Sequence, residues 1–196
     1  MDHCDMSVST ATTCSVPVMA LRAAPYNLDW GSSIFAKVIA TNLYGDSLSS
    51  LAGNSAVITT KPDAPINLAE NVSQRTKSTL ALTWQPAAFT GGAPIIDYRV
   101  MIATQGETFF VLASGLSSPA YKATGLVAGL TYEFKVLSRN SYSYSSQSEA
   151  ITLLCAFVPD PPVSVTTANS NELVAISWGN SITNGSPIIA YKVFVR

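Results

Sequence analysis

Charge is scarce in this sequence. Asp, Glu, Lys and Arg make up 12% of the 196 residues, about half the usual fraction. The signs nearly cancel, leaving a formal net charge of −1 and an isoelectric point near 5.7. That excludes the basic face on which nucleic-acid binding rests, so no nucleic-acid partner is expected. Histidine occurs once, at His3, so no His-based triad or two-imidazole metal site can be assembled. The sequence contains no G-x-S-x-G, no G-x-G-x-x-G and no G-K-[ST] phosphate loop. The carboxylates Asp63, Glu70, Asp97, Glu107, Glu133, Glu149, Asp160 and Glu172 are scattered and read as solvated faces. His3, Cys4 and Cys14 fall short of a zinc set, because no second Cys-x-x-Cys exists. No catalytic group, cofactor or metal is therefore expected, and the chain is read as non-enzymatic. Long apolar runs are missing too: the longest, Ala150 to Val158, is interrupted by Thr152, far short of the roughly 20 residues of a membrane span. Met1 to Asp5 lacks the basic start of a signal peptide, and Val16 to Leu21 is too short for its apolar centre. Low charge does not signal disorder here, because 47% of residues are hydrophobic and the mean hydropathy is +0.27.

What the sequence does contain is a repeat. Gly91-Gly92-Ala93-Pro94-Ile95-Ile96-Asp97-Tyr98-Arg99-Val100 returns as Asn184-Gly185-Ser186-Pro187-Ile188-Ile189-Ala190-Tyr191-Lys192-Val193, 93 residues later. Trp84 returns as Trp178 after 94 residues, and Pro62-Asp63-Ala64-Pro65 as Pro159-Asp160-Pro161-Pro162 after 97. Leu28-x-x-Gly31 with Val38, Ala40 and Asn42 returns as Leu126-x-x-Gly129 with Val136, Ser138 and Asn140 after 98. A period near 95 residues is a whole domain, not a solenoid turn. The organisation expected is a C-terminal part of one module over residues 1–60, a complete module over 61–156, and the first three strands of another over 157–196.

The complete copy reads as all-β. Leu80, Leu82 and Trp84 alternate with Thr79, Ala81 and Thr83, which places the large side chains on one face of a strand. Ile96, Tyr98, Val100 and Ile102 alternate likewise, as do Tyr132, Phe134 and Val136. Phe109 to Ala113 and Ala150 to Leu154 add short β-rich runs, and Gly and Pro punctuate the stretches between. No sustained helical stripe is present. About seven short strands in a module of this size make a two-sheet sandwich.

These residues together resemble the fibronectin type III family: Pro62-x-x-Pro65 ahead of a strand containing Leu68, Trp84 at the end of the second strand, Ile96-x-Tyr98-x-Val100 in the third, and Leu126-x-x-Gly129-x-x-Tyr132-x-Phe134-x-Val136 before Asn140. The resemblance implies tandem immunoglobulin-like β-sandwiches with a core signature of Trp84, Tyr98, Leu126, Tyr132 and Trp178. It also implies that Tyr132 makes the corner hydrogen bond of the family, a position held by Ile34 in the first copy. The Leu43-Tyr44-Gly45-Asp46-Ser47 loop lacks the Arg-Gly-Asp triplet that some members use for integrin binding.

Three further features bear on function. Cys4 and Cys14 are placed for a local disulfide between neighbouring strands, the alternative being two buried thiols; a disulfide would favour an oxidising compartment. Cys155, near the second linker, reads as a small apolar filler, with an intermolecular bridge as the sharper alternative. Asn71 and Asn184 satisfy the N-x-[ST] glycosylation pattern, although Asn184-Gly185 is equally a tight-turn dipeptide. The Ser141-Tyr142-Ser143-Tyr144-Ser145-Ser146 loop suits an adaptable contact surface, with Tyr142 and Tyr144 as its aromatic members, or packing on the next module. Trp30, whose counterpart is Ala128, serves as a partner anchor or as inter-module packing.

Under the repeat offsets the two chain ends meet near the close of the third strand. The chain is thus a window of a longer array, or a subunit whose tail completes the head of the next copy as a filament. The linkers Lys61-Pro62-Asp63-Ala64-Pro65 and Val158-Pro159-Asp160-Pro161-Pro162 are stiffened by proline. The expected role is a structural or adhesive array, extracellular or at the cell surface, whose partners are neighbouring repeats or copies of itself. The alternatives are a receptor's ligand-binding ectodomain and the spacer of a larger surface enzyme.

Overall fold

Alternation becomes pairing wherever a second strand is available to receive it. The computed structural model describes residues 12–196. These fall in two compact units: the N-terminal segment to Asp63 with Ala87–Ile96 and Arg139–Ser145, and the remainder.

In the first unit, α1 (Val18–Arg22) is followed by β1 (Ser33–Ala36), β2 (Thr41–Asn42), β3 (Gly45–Asp46) and β4 (Gly53–Val57). The sequence reading places no helix in this segment. Met, Ala, Leu and Arg after Pro17 are good helix formers, and five residues are too few to display a periodic stripe. β1 pairs antiparallel with β4, and β2 with β3, but nearly all their residues are exposed. Ile34, which stands where the middle copy has its corner tyrosine, lies opposite Ala56.

The second unit holds β5 (Ile66–Glu70), a 3-10 turn (Val72–Gln74), β6 (Thr79–Gln85), β7 (Asp97–Thr104), β8 (Phe110–Leu116), β9 (Ala120–Thr124), β10 (Thr131–Arg139, its last residue in the first unit) and β11 (Ile151–Leu154). These form two sheets, β5-β6-β9 and β11-β10-β7-β8, all hydrogen-bonded neighbours except that the chain crosses between sheets after β6, β8 and β9. One face of each sheet is apolar because its inward positions recur every second residue. Leu80, Leu82 and Trp84 from β6 are buried with Tyr98, Val100 and Ile102 from β7 and with Tyr132, Phe134 and Val136 from β10. Trp84 and Tyr98 meet edge to face at 5.5 Å. Each large apolar side chain so buried stabilises by about 1.5–3 kcal/mol. Ile96 is a correction to the third-strand pattern: it lies just before β7, is 55% exposed, and uses its N–H on the Arg139 carbonyl.

β12 (Val163–Ser170) and β13 (Leu173–Gly179) form the last ladder, antiparallel, with β12 fully exposed. Residues 187–196 form no ladder in the structure. Trp178 and Tyr191 meet at 5.4 Å with their rings tilted by 57°, a counterpart of the Trp84–Tyr98 contact. Trp178 is nevertheless only half-buried and Tyr191 is 39% exposed. Among the described residues no second sheet covers the Trp178 ring.

Candidate functional site

The Ser141–Ser146 loop is built on one asparagine. Asn140 ends the run that begins with Tyr132, and it is 2% exposed. Its Oδ1 accepts from the backbone N–H groups of Tyr142 at 2.9 Å and Ser143 at 3.1 Å. Its Nδ2 donates to the carbonyls of Thr60 at 2.7 Å and Thr90 at 2.8 Å. Every hydrogen-bonding capacity of the amide is used, which a buried amide requires. Asn42, its counterpart one repeat earlier, makes the turn bond, accepting from Tyr44 N–H at 2.8 Å.

On this base the two tyrosines differ. Tyr142 projects outward and is 63% exposed. Tyr144 is half-buried, with the Arg139 guanidinium 5.3 Å above its ring. In the same unit Trp30 packs edge-on against Phe89 at 6.1 Å and carries the Arg22 guanidinium 4.2 Å over its ring. Trp30 is thereby engaged with the 87–96 loop of the same unit.

In the second unit, Tyr132 accepts at its hydroxyl from the Val127 N–H at 3.0 Å. This is the corner bond implied by the resemblance, and it holds the turn carrying Leu126, which is half-buried. Sequence reading missed Arg75. Its guanidinium forks onto Glu70, with bonds of 2.8 and 2.6 Å, and donates a further pair to the carbonyls of Leu154 and Ala156. Glu70, through its hydrogen bond and charge, raises the Arg75 pKa against the opposing effect of burial. The carbonyl partners lie 79 and 81 residues away, so no local pattern betrays them. Cys155 is a free thiol and fully buried, its Sγ 3.4 Å from the Lys77 carbonyl. Burial pushes its pKa up, as it does for Tyr98.

Cys14 is disulfide-bonded. It lies in coil before α1, not in a strand. Cys4 and His3 fall outside the described residues. Asn71 is half-buried, its Oδ1 accepting from Ser73 Oγ at 2.7 Å. Asn184 is 5% exposed, and its Nδ2, the atom a glycan would occupy, donates to Val158 O and Asp160 Oδ1 at 2.8 Å each. The turn accounts for Asn184, and the glycosylation candidate there is corrected. Among the described residues no cluster of three His, Cys, Asp or Glu groups is placed to hold a metal, and no helix is long and apolar enough to cross a membrane.

The fibronectin type III family profile matches residues 63–153. Among curated proteins, a Kelch domain-containing protein of Saccharolobus solfataricus is 31% identical over 153 residues, covering 78% of this chain and 20% of that protein. Protein turtle of Drosophila melanogaster is 32% identical over 98 residues, covering 48% and 6% respectively. The human protein named cell adhesion molecule-related/down-regulated by oncogenes is 25% identical over 172 residues, covering 80% and 13%. The chain thus spans no more than a fifth of the length of these relatives. A run of titin domains superposes with a TM-score of 0.53 at 21% identity, covering 65% of this chain and 42% of that one, which establishes likeness of fold.

Proposed function

Residues 63–153 being a fibronectin type III domain, we propose that the chain is a stretch of a non-enzymatic array of such modules, 1–60 and 157–196 being parts of like ones, working outside the cytosol as a structural or adhesive element. The observation that carries this reading is how the domain is continued. The Thr60 N–H donates to the Gly91 carbonyl at 2.8 Å, and the Phe157 N–H to the Asn184 carbonyl at 2.9 Å. The residue preceding each linker is thus joined to a loop through backbone, where a loose tether would leave it to water. Proline on both linkers adds stiffness. The disulfide at Cys14, with Cys4 as the partner we assign, suits an oxidising compartment. Asn71 is the glycan acceptor in this reading. The cell-adhesion name of one relative points the same way.

Pulling the chain from its ends tests the reading. A single resolved force peak releasing about 30 nm, the contour of some 90 extended residues, is expected; extension with no peak would end it. A second reading, a binding ectodomain, is favoured by the exposure of Tyr142. It requires that Tyr142→Ser with Tyr144→Ser abolish a specific interaction while the melting temperature stays put.

A further inference from the structure

Two stretches of the chain, one repeat apart, make the same backbone contacts. In the first, the N–H of Gly31 donates to Ile58 O at 2.8 Å, that of Thr60 to Gly91 O at 2.8 Å, and that of Asp63 to Phe89 O at 3.1 Å. In the second, Gly129 donates to Cys155 O at 2.8 Å, Phe157 to Asn184 O at 2.9 Å, and Asp160 to Ile182 O at 3.0 Å. Each residue of the second set is the repeat counterpart of one in the first. The first set lies wholly within one compact unit and the second within the other.

Glycine occupies the point of closest approach in both. A Cβ on Gly92 would lie 2.6 Å from the Gly31 nitrogen and 2.7 Å from Ile58 O. A Cβ on Gly185 would lie 2.6 Å from the Gly129 nitrogen and 2.7 Å from Cys155 O. The obstructing atoms are backbone and cannot swing aside, so only hydrogen fits. The side chains around the two points are unlike: Ile58 answers to Cys155, Thr60 to Phe157, Gly91 to Asn184. The contact is therefore specified by backbone and glycine, not by side-chain matching.

We infer that this is a docking surface between successive repeats, transferable along the array. One face is the loop bearing Gly92 or Gly185. The other is the turn at Gly31 or Gly129 together with the carbonyl of Ile58 or Cys155. The partner of each face is a further repeat with glycine at the matching position, an identification that rests on the array reading. The domain carries one face of each kind, so repeats dock by glycine spacing whatever their surface chemistry.

Amide exchange on the whole chain, read residue by residue, tests this with Gly92→Ala, Gly185→Ala and Gly106→Ala. Gly106 has φ +87° and nothing within 4 Å of the point a Cβ would take, against φ +81° at Gly92, so its variant carries the backbone strain without the obstruction. Gly92→Ala should speed exchange at Gly31 and Thr60 by about tenfold or more, and Gly185→Ala at Gly129 and Phe157, with Val100 and Phe134 unchanged. Gly106→Ala should move none of these. Unchanged exchange at Thr60 and Phe157, an equal effect from Gly106→Ala, or, in Gly185→Ala, loss of protection at Val100 and Phe134 along with the joint, would each overturn the inference. Gly185 lies outside residues 63–153, so its variant reports even if Gly92→Ala fails to fold. The force peak is indifferent to these amides, which keeps failure of the joint apart from failure of the array reading.

Discussion

Two tryptophan–tyrosine pairs meet at nearly the same distance and differ in their fate. Trp84 meets Tyr98 at 5.5 Å and Trp178 meets Tyr191 at 5.4 Å. Yet Trp84 is 4% exposed and Tyr98 6%, whereas Tyr191 keeps 39%. Two and four residues ahead of each tryptophan stand Leu82 and Leu80 in one case, Ile176 and Val174 in the other. Leu80 is fully buried and Val174 is 62% exposed. Identical alternation thus marks which face a strand offers. Burial is added only by a second sheet, which β10 and β7 supply to β6 and which nothing among the described residues supplies to β13. The hydrophobic contribution to stability is concentrated where that second sheet exists.

The sharpest way to break this comparison is Phe134→Ala, which leaves a cavity at a fully buried site. It should cost about 3–5 kcal/mol in denaturant unfolding. Val174→Ala, at the exposed hairpin, should cost under about 0.5 kcal/mol; comparable losses at the two positions would show that the hairpin is covered in solution. Arg75→Met comes next. It strands Glu70, whose side chain is 8% exposed, and frees two carbonyls, for a loss of about 2 kcal/mol by the same measurement. Tyr132→Phe removes only the corner bond to Val127, so a loss of about 1 kcal/mol is expected; an Ile34→Tyr change in the first segment should bring no comparable gain.

The smallest expected effect is a pH dependence. Burial raises the pKa of Cys155 above the ordinary thiol value of 9.0 and that of Tyr98 above 10.0. The unfolded chain therefore releases these protons first on the alkaline side. The stability they contribute is complete below the unfolded values and is lost as pH rises through the raised folded ones. Urea midpoints at about pH 8 and about pH 10.5 should diverge in the natural sequence, and less so in Tyr98→Phe with Cys155→Ala.

The sandwich was legible because its inward residues recur at period two over six or more positions, as in Thr79–Gln85 and Thr131–Arg139. The corner bond of Tyr132 was legible through the family pattern. What escaped reading has physical causes. α1 is too short to express a period. Ile96 keeps the alternation but lies just outside β7, beyond the sheet's cover. Asn184 carries a glycosylation pattern that the turn itself occupies. Arg75 and Asn140 act on carbonyls that folding brings from 50 to 81 residues away, and no spacing rule reaches that far.

All four groups bound by the Asn140 amide belong to the main chain: two N–H groups within the Ser141–Ser146 loop, and two carbonyls outside it. None depends on the identity of a neighbouring side chain. The loop's foundation would survive replacement of the exposed Ser141, Tyr142 and Ser143 above it, whereas Ser145 is itself buried. Evolution, or a randomised library, could rewrite that apex for a new target while the scaffold beneath stays as it is.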